Sequence, residues 1–269
     1  MACIVALSSQ VASGHVGLSA IHFALQRLGH EVIALPTVLL SNHPGRQPAT
    51  GMPIAPAVIE RMLATLDANG RLDHVDAVLT GYLPSAAHVT IAAEAITLCR
   101  KKGRRLTVLC DPVIGDDPKG VYIDAAAAAA IRDCLLPLAD IATPNRFELD
   151  WLTGKRVADT CSAIEAARQL VPKLVIATSI PEGAEQLATL AITPTDAHSF
   201  VTKRLAATPN GTGDLLSALF LSAYLQSGQA IAESLERTVG GIDAVLAASA
   251  GHAELQMIAS QEFWARSRT

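Results

Sequence analysis

Leu106-Thr107-Val108-Leu109-Cys110-Asp111-Pro112 is a short apolar run that ends in a carboxylate and then a proline. The run reads as a strand, and Asp111 stands where open parallel sheets place ligand-binding groups, just past a strand's carboxyl end. On either side of it, comparable runs occupy residues 3–9, 31–37, 77–82, 141–143, 174–179, 188–193 and 200–205, the last two suited to an antiparallel hairpin. Helical stripes fall between them: Leu18, Ile21, Leu25 and Leu28 on one, Ile231, Leu235, Ile242 and Leu246 on another. This alternation predicts an α/β fold in which helices flank a mainly parallel central sheet.

Half of the 269 residues are hydrophobic, enough for one large core, so a single domain over residues 1–269 is expected. With 17% charged residues and a net charge of −4, no basic surface points to nucleic acid or anionic membrane, and a small-molecule partner is expected. Cys3, Cys99, Cys110, Cys134 and Cys161 form no C-x-x-C pair and read as buried thiols of a reducing cytoplasm. The first basic residue is Arg27, which does not fit a signal peptide and again suggests a cytoplasmic protein. Residues 215–225 are the longest apolar stretch, interrupted by Ser217 and Ser222, and predict a core helix. Residues 125–130, all alanine, predict another helix. Residues 41–56, rich in Pro and Gly, and residues 115–120 read as loops that could cover a site.

Asn210-Gly211-Thr212-Gly213-Asp214 runs straight into the apolar helix. Unpaired backbone N–H groups and the positive end of a helix dipole converge there, which suits an anion such as phosphate. Asp214, beside that anion hole, could take a proton from an attacking alcohol. Gly211 to Asp214 also make a turn and a capping Asp before a buried helix, and the motif alone does not separate the two readings.

Two further clusters come directly after strands. Asp111-Pro112-Val113-Ile114-Gly115-Asp116 offers a carboxylate for a cation near phosphate, or a strand-end Asp bonded to nearby amides. Thr143-Pro144-Asn145-Arg146-Phe147-Glu148 offers a helix cap at Asn145 and a carboxylate at Glu148, a residue type favoured in any first helical turn. The three clusters have to meet at one sheet edge to form a site. The eight histidines form no ligand motif, and Phe147 and Trp151 at helical spacing read as core.

Taken in order, these motifs resemble the pyridoxal kinases of the ribokinase superfamily. Ser9-Gln10-Val11 with Gly14-His15-Val16-Gly17, Thr37 to Asn42, Leu79-Thr80-Gly81-Tyr82, Asp111 to Asp116, Leu135 to Asp140, Thr143 to Glu148 with Leu152-Thr153-Gly154, and Gly211 to Asp214 carry the likeness. The resemblance implies a ribokinase-like three-layer sandwich that phosphorylates B6 vitamers with ATP and Mg²⁺, often helped by K⁺ or another monovalent cation, as a homodimer. It implies that Asp214 is the base facing the 5'-hydroxymethyl group and that Gly211, Thr212 and Gly213 supply the anion hole. Ser9, Val11, His43 and Tyr82 would contact the vitamer. Asp111, Thr143, Asn145, Glu148 and Thr178 would surround the nucleotide, with Asp111, Tyr122 and Glu148 near its cations.

The chain departs from the family pattern at Gln10, Leu18 and Pro44, and its loop His43-Pro44-Gly45-Arg46-Gln47-Pro48 lacks the family's aromatics. These positions bear on vitamer preference. A hydroxymethylpyrimidine kinase is the alternative enzyme, although the bifunctional members typically carry Cys where this chain has Asp214. A B6-vitamer-binding protein without turnover is the alternative of another class.

Overall fold

The structure is a computed structural model that describes residues 1–205 and 207–265. In chain order its elements are β1 (Cys3–Val11), α1 (Leu18–Arg27), β2 (Glu31–Leu40), β3 (Gly51–Pro53), α2 (Pro56–Ala68), β4 (Ala77–Thr80), α3 (Ala86–Lys101) and β5 (Thr107–Cys110). The two-residue strands β6 (Gly115–Asp116) and β7 (Gly120–Val121) precede α4 (Ala125–Ala130), β8 (Ile141–Ala142), α5 (Arg146–Thr153) and α6 (Thr160–Ala167). Next come β9 (Leu174–Pro181), β10 (Gln186–Ile192), β11 (Ala197–Lys203), α7 (Thr212–Gln226), α8 (Ile231–Ala248) and α9 (Gln261–Trp264).

Nine strands form one sheet in the order β11-β10-β9-β8-β5-β4-β1-β2-β3. From β9 to β2 every neighbouring pair is parallel; β10 and β3 run against these strands, and β11 pairs antiparallel with β10 at the edge. Side chains alternate across the sheet as period two requires. Ile4, Ala6, Leu79, Leu109 and Ile176 pack against α1, α7 and α8, whereas Val5, Leu7, Val78, Val108 and Cys110 pack against α2, α3 and α4. Helices cover both faces, which explains why the central strands carry apolar residues on both sides.

α7 is buried along its length from Leu215 to Ala223. Its two serines, which interrupt the apolar run, are anchors. Ser217 bonds Asp111 at the site end of the sheet, and Ser222 bonds His30 at 2.8 Å near the other end. The alanine run forms α4, capped by Asp124, whose carboxylate accepts from the Ala126 and Ala127 amides. Among the described residues no helix is long and apolar enough to cross a membrane.

Some features were not expected from sequence. Cys134 and Cys161 are exposed, not buried, because they fall on outward-facing turns of helix; only Cys99 and Cys110 are buried. The segment 41–56 contains β3, which adds to the edge of β2. The register between β1 and β2 slips at Ser8 and Ser9: Ser8 pairs with Pro36, and Ser9 pairs with Val38. Pro36 has no N–H for the ladder, and the slip lets Thr37 turn its hydroxyl to the Tyr82 carbonyl at 2.7 Å.

Phe220 of α7 is the largest fully buried side chain, in the core shared by the sheet, α1, α7 and α8. Truncating it to Ala is expected to destabilise the fold by about 3–5 kcal/mol, read from the shift of the urea midpoint.

Candidate active site

The first turn of α7 places Asp214 at the carboxyl ends of the central strands. Gly211 starts the helix with φ +93°, and a Cβ there would lie 1.9 Å from the His15 carbonyl oxygen, so only glycine fits. This close approach brings the β1–α1 loop onto the helix start. Within that loop the Gly17 amide donates to Asp214 Oδ2 at 2.8 Å. Gly17 is itself packed so tightly on Ser9 that a side chain would strike the Ser9 carbonyl and hydroxyl, which sets Ser9 beside Asp214. Gly81, at the end of β4, lies opposite: a Cβ built there would be 3.9 Å from Asp214 Oδ1. Nothing crowds Gly213, which leaves the first turn of α7 open on its outer side. Burial pushes the Asp214 carboxyl up to about 6, and the Gly17 hydrogen bond pulls it the other way.

The other two sequence clusters meet the first one. Ser217, one turn beyond Asp214, donates to Asp111 Oδ2 at 3.0 Å and lies 2.9 Å from the Thr143 hydroxyl. Asn145 caps α5 in a capping box with Glu148. Glu148 is buried, and both of its oxygens are engaged: Oε1 accepts from the amides of Ile114 at 2.8 Å and Gly115 at 3.5 Å, Oε2 from that of Asn145 at 2.9 Å. The chain delivers the Ile114 amide by forcing Val113 to φ +47°, a conformation β-branched residues avoid. Burial, then the charges of Glu148 and Asp214, raise the Asp111 pKa well above the carboxylate range; the Ser217 and Thr143 hydroxyls offset part of this. Burial also pushes Glu148 up to about 7 despite its amide donors.

The remaining expected residues surround this centre. Thr178 bridges to Asn145, and its amide donates to the Pro144 carbonyl at 3.0 Å. Tyr122 comes just after β7, its ring half exposed; partial burial of the hydroxyl, then the charges of Glu148, Asp111, Asp116 and Asp214, raise its pKa. Tyr82 is half-buried beyond β4, its amide donating to Ser8 Oγ at 3.0 Å. His43 lines a cleft with His15 and Val16 next to Gly17. Val11 is 3% exposed and is tied to Ser19 through its backbone. Gln10, at the departure from the family, also turns to Ser19, donating to its hydroxyl at 2.7 Å. Phe147 packs on Gly115 of the β6–β7 hairpin and does not join the core beside Trp151.

Sequence reasoning missed the parts played by Gly17, Ser217 and Val16. Ser217 carried a signal: a hydroxyl in an apolar helix, three residues after a candidate base, points to the same side of the helix. Gly17 carried none, since its role is a backbone N–H.

Asp111, Asp214 and Glu148 bind protons more tightly in the folded chain than in the unfolded one. Their contribution to stability is therefore full below about pH 4 and is lost as pH rises, through about 6 for Asp214 and about 7 for Glu148. Asp214→Asn keeps an acceptor for Gly17 without the charge. It is expected to melt above the wild type at pH 8, with the gain shrinking towards pH 4.5 in a thermal-shift series.

The model of the phosphomethylpyrimidine kinase family matches residues 27–257. The pyridoxal kinase PdxY of Leifsonia xyli is 36% identical over 98% of this chain and 96% of that protein. The pyridoxal kinase PdxY of Deinococcus radiodurans is 37% identical over 98% of this chain and 93% of that one. In structure, the pyridoxal kinase of Leishmania donovani in complex with ADP and pyridoxamine matches with a TM-score of 0.93 at 26% identity, covering 100% of this chain and 97% of that one. The chain thus belongs to the pyridoxal kinase family, built on the ribokinase-like phosphomethylpyrimidine kinase domain.

Proposed function

We propose that this chain, as one kinase domain, transfers the γ-phosphoryl group of ATP to the 5'-hydroxymethyl oxygen of pyridoxal and related B6 vitamers. The observation that carries this reading is Asp214: a carboxylate with its pKa raised to about 6 at the open start of a buried helix, beside backbone amides. Asp214 accepts the proton of the acceptor alcohol as its oxygen attacks the γ-phosphorus and ADP leaves. The amides of Gly211, Thr212 and Gly213 hold the charge that develops on the phosphoryl oxygens. Ser9, Tyr82 and His43 face the vitamer, and Thr143, Asn145 and Thr178 face the nucleotide. The Leishmania donovani relative, in complex with ADP and pyridoxamine, supports a site that takes a nucleotide and a vitamer.

The donor set suits a hard cation. Asp111 is a carboxylate whose proton affinity is raised by burial and then by the charges of Glu148 and Asp214, an imbalance that a divalent ion would relieve. Among the described residues no three acidic, His or Cys side chains converge to hold a metal by themselves. Asp111 would hold Mg²⁺ jointly with nucleotide phosphate and water, and Glu148, with both oxygens on amides, fixes the loop that carries Ile114 and Gly115. The bound ion would neutralise charge on the phosphates.

The matching family model is named for the phosphomethylpyrimidine enzymes, which keeps hydroxymethylpyrimidine as a second acceptor. Coupled ADP-release assays with pyridoxal, pyridoxine, pyridoxamine and hydroxymethylpyrimidine are expected to show turnover of the vitamers. Saturable vitamer binding without ADP release would instead mark a carrier. Asp214→Asn, folded by circular dichroism, should lose about 10² to 10⁴ in kcat. In the wild type, kcat/KM for the alcohol should fall as the pH drops through about 6, where Asp214 takes up a proton. An acid limb that persists in the Asn variant's residual activity would assign that pKa to another group.

A further inference from the structure

A shallow, open cleft near Asp214 is bordered by His15, Val16, His43, Arg46, Asn210 and Glu254. It adjoins the reacting centre through the chain itself: Val16 precedes Gly17, which bonds Asp214, and Asn210 precedes Gly211. Among the described residues, Arg46 alone brings a guanidinium to this lining, and its Nη1 donates to Glu254 Oε1 at 2.8 Å. The two side chains are 64% and 37% exposed, so water screens the pair, which contributes little to stability and exchanges partners at little cost.

The loop that carries Arg46 is braced from within. Asn42 Nδ2 donates to the carbonyls of His43, Arg46 and Pro48, the Gly45 amide donates to His43 Nδ1, and Ser41 and Thr50 bond each other at the base. Arg46 is thus a cation held on a preorganised loop, with a partner that a ligand can replace. Beside it, His43 is pushed towards its neutral form by burial and then by the charge of Lys119, which leaves the guanidinium to meet an anion.

Building on the kinase reading above, we propose that Arg46 determines acceptor specificity: its guanidinium exchanges Glu254 for the ionised ring oxygen of a hydroxypyridine alcohol. An aminopyrimidine alcohol has no acidic ring hydroxyl and gains nothing from that exchange. Guanidinium-to-oxyanion bonds are directional and charge-assisted, and a site built around such a bond rejects the analogue that lacks it. The ring oxygen and the reacting hydroxymethyl group are separate substituents, so Arg46 reads one while Asp214 works on the other.

The test measures kcat/KM for pyridoxine and for hydroxymethylpyrimidine in the wild type, Arg46→Met and Glu254→Gln, each checked by circular dichroism. Arg46→Met keeps an unbranched stem and removes the charge. It should lower the pyridoxine-to-pyrimidine ratio about tenfold. Glu254→Gln, which frees the guanidinium, should hold that ratio at or above the wild-type value. If the pair serves only to fasten the loop, both variants will shift both acceptors in the same proportion, and the assignment of Arg46 is overturned while the kinase reading stands. A wild type that phosphorylates neither alcohol overturns the kinase reading and this assignment with it.

Discussion

The hydrogen bond from the Gly17 amide to Asp214 ties the first loop of the chain to a helix that starts nearly 200 residues later. It is possible only because Gly211 has no side chain to hold the His15 carbonyl away. The arrangement at the strand ends depends on that closure. It fixes the direction of the Asp214 carboxylate, seats Ser9 beside it and leaves the cleft between His15, His43 and Arg46. α7 transmits the same constraint along its buried length: Ser217 carries Asp111 and Thr143, and Ser222 reaches His30. The proposed base Asp214, the proposed cation ligand Asp111 and the glycine loop before α7 are thereby held by one rigid element, the kind of support that precise phosphoryl transfer requires.

The site is electrostatically opposed to its own folding. Three buried or half-buried carboxylates share a small volume, and burial raises the pKa of each. The partial positive charge at the start of α7 and the amides that bond Glu148 offset only part of that cost. Val113 adds backbone strain to bring one of those amides into place. Such unfavourable contributions persist because the apolar sheet and helices around them supply the stability.

Much of this was legible in the residues. The alternation of short apolar runs with helical stripes pointed to the parallel sheet, the antiparallel hairpin β10–β11 and the buried α7, because period and hydrophobicity are local properties. Strand-end Asp111, the cap at Asn145 and the glycines before Asp214 were readable for the same reason. The contacts that join them were not. Gly17 acts through an amide that every residue but proline possesses, and the Arg46–Glu254 pair spans 208 positions. β3 escaped notice because three residues that include Gly51 and Pro53 have no strand pattern, and they pair only because β2 offers a free edge. Cys134 and Cys161 show the limit of residue-type averages: cysteine's general preference for the interior does not say which way a given helical turn faces.

The slip between Ser8–Pro36 and Ser9–Val38 divides each of these two strands into segments with different roles. Upstream of it, Ile4 to Leu7 of β1 are locked by neighbours on both sides, and a single deletion would exchange inside for outside. Downstream, the ladder between β1 and β4 has ended, and the strands run out to the loops at the site with Thr37 and Val38 still buried. Evolution is therefore free to rewrite the exposed loop between β2 and β3, Pro44 and Arg46 included, without consulting the central sheet. A designer seeking a new acceptor has the same freedom, with the boundary where β2 ends at Leu40.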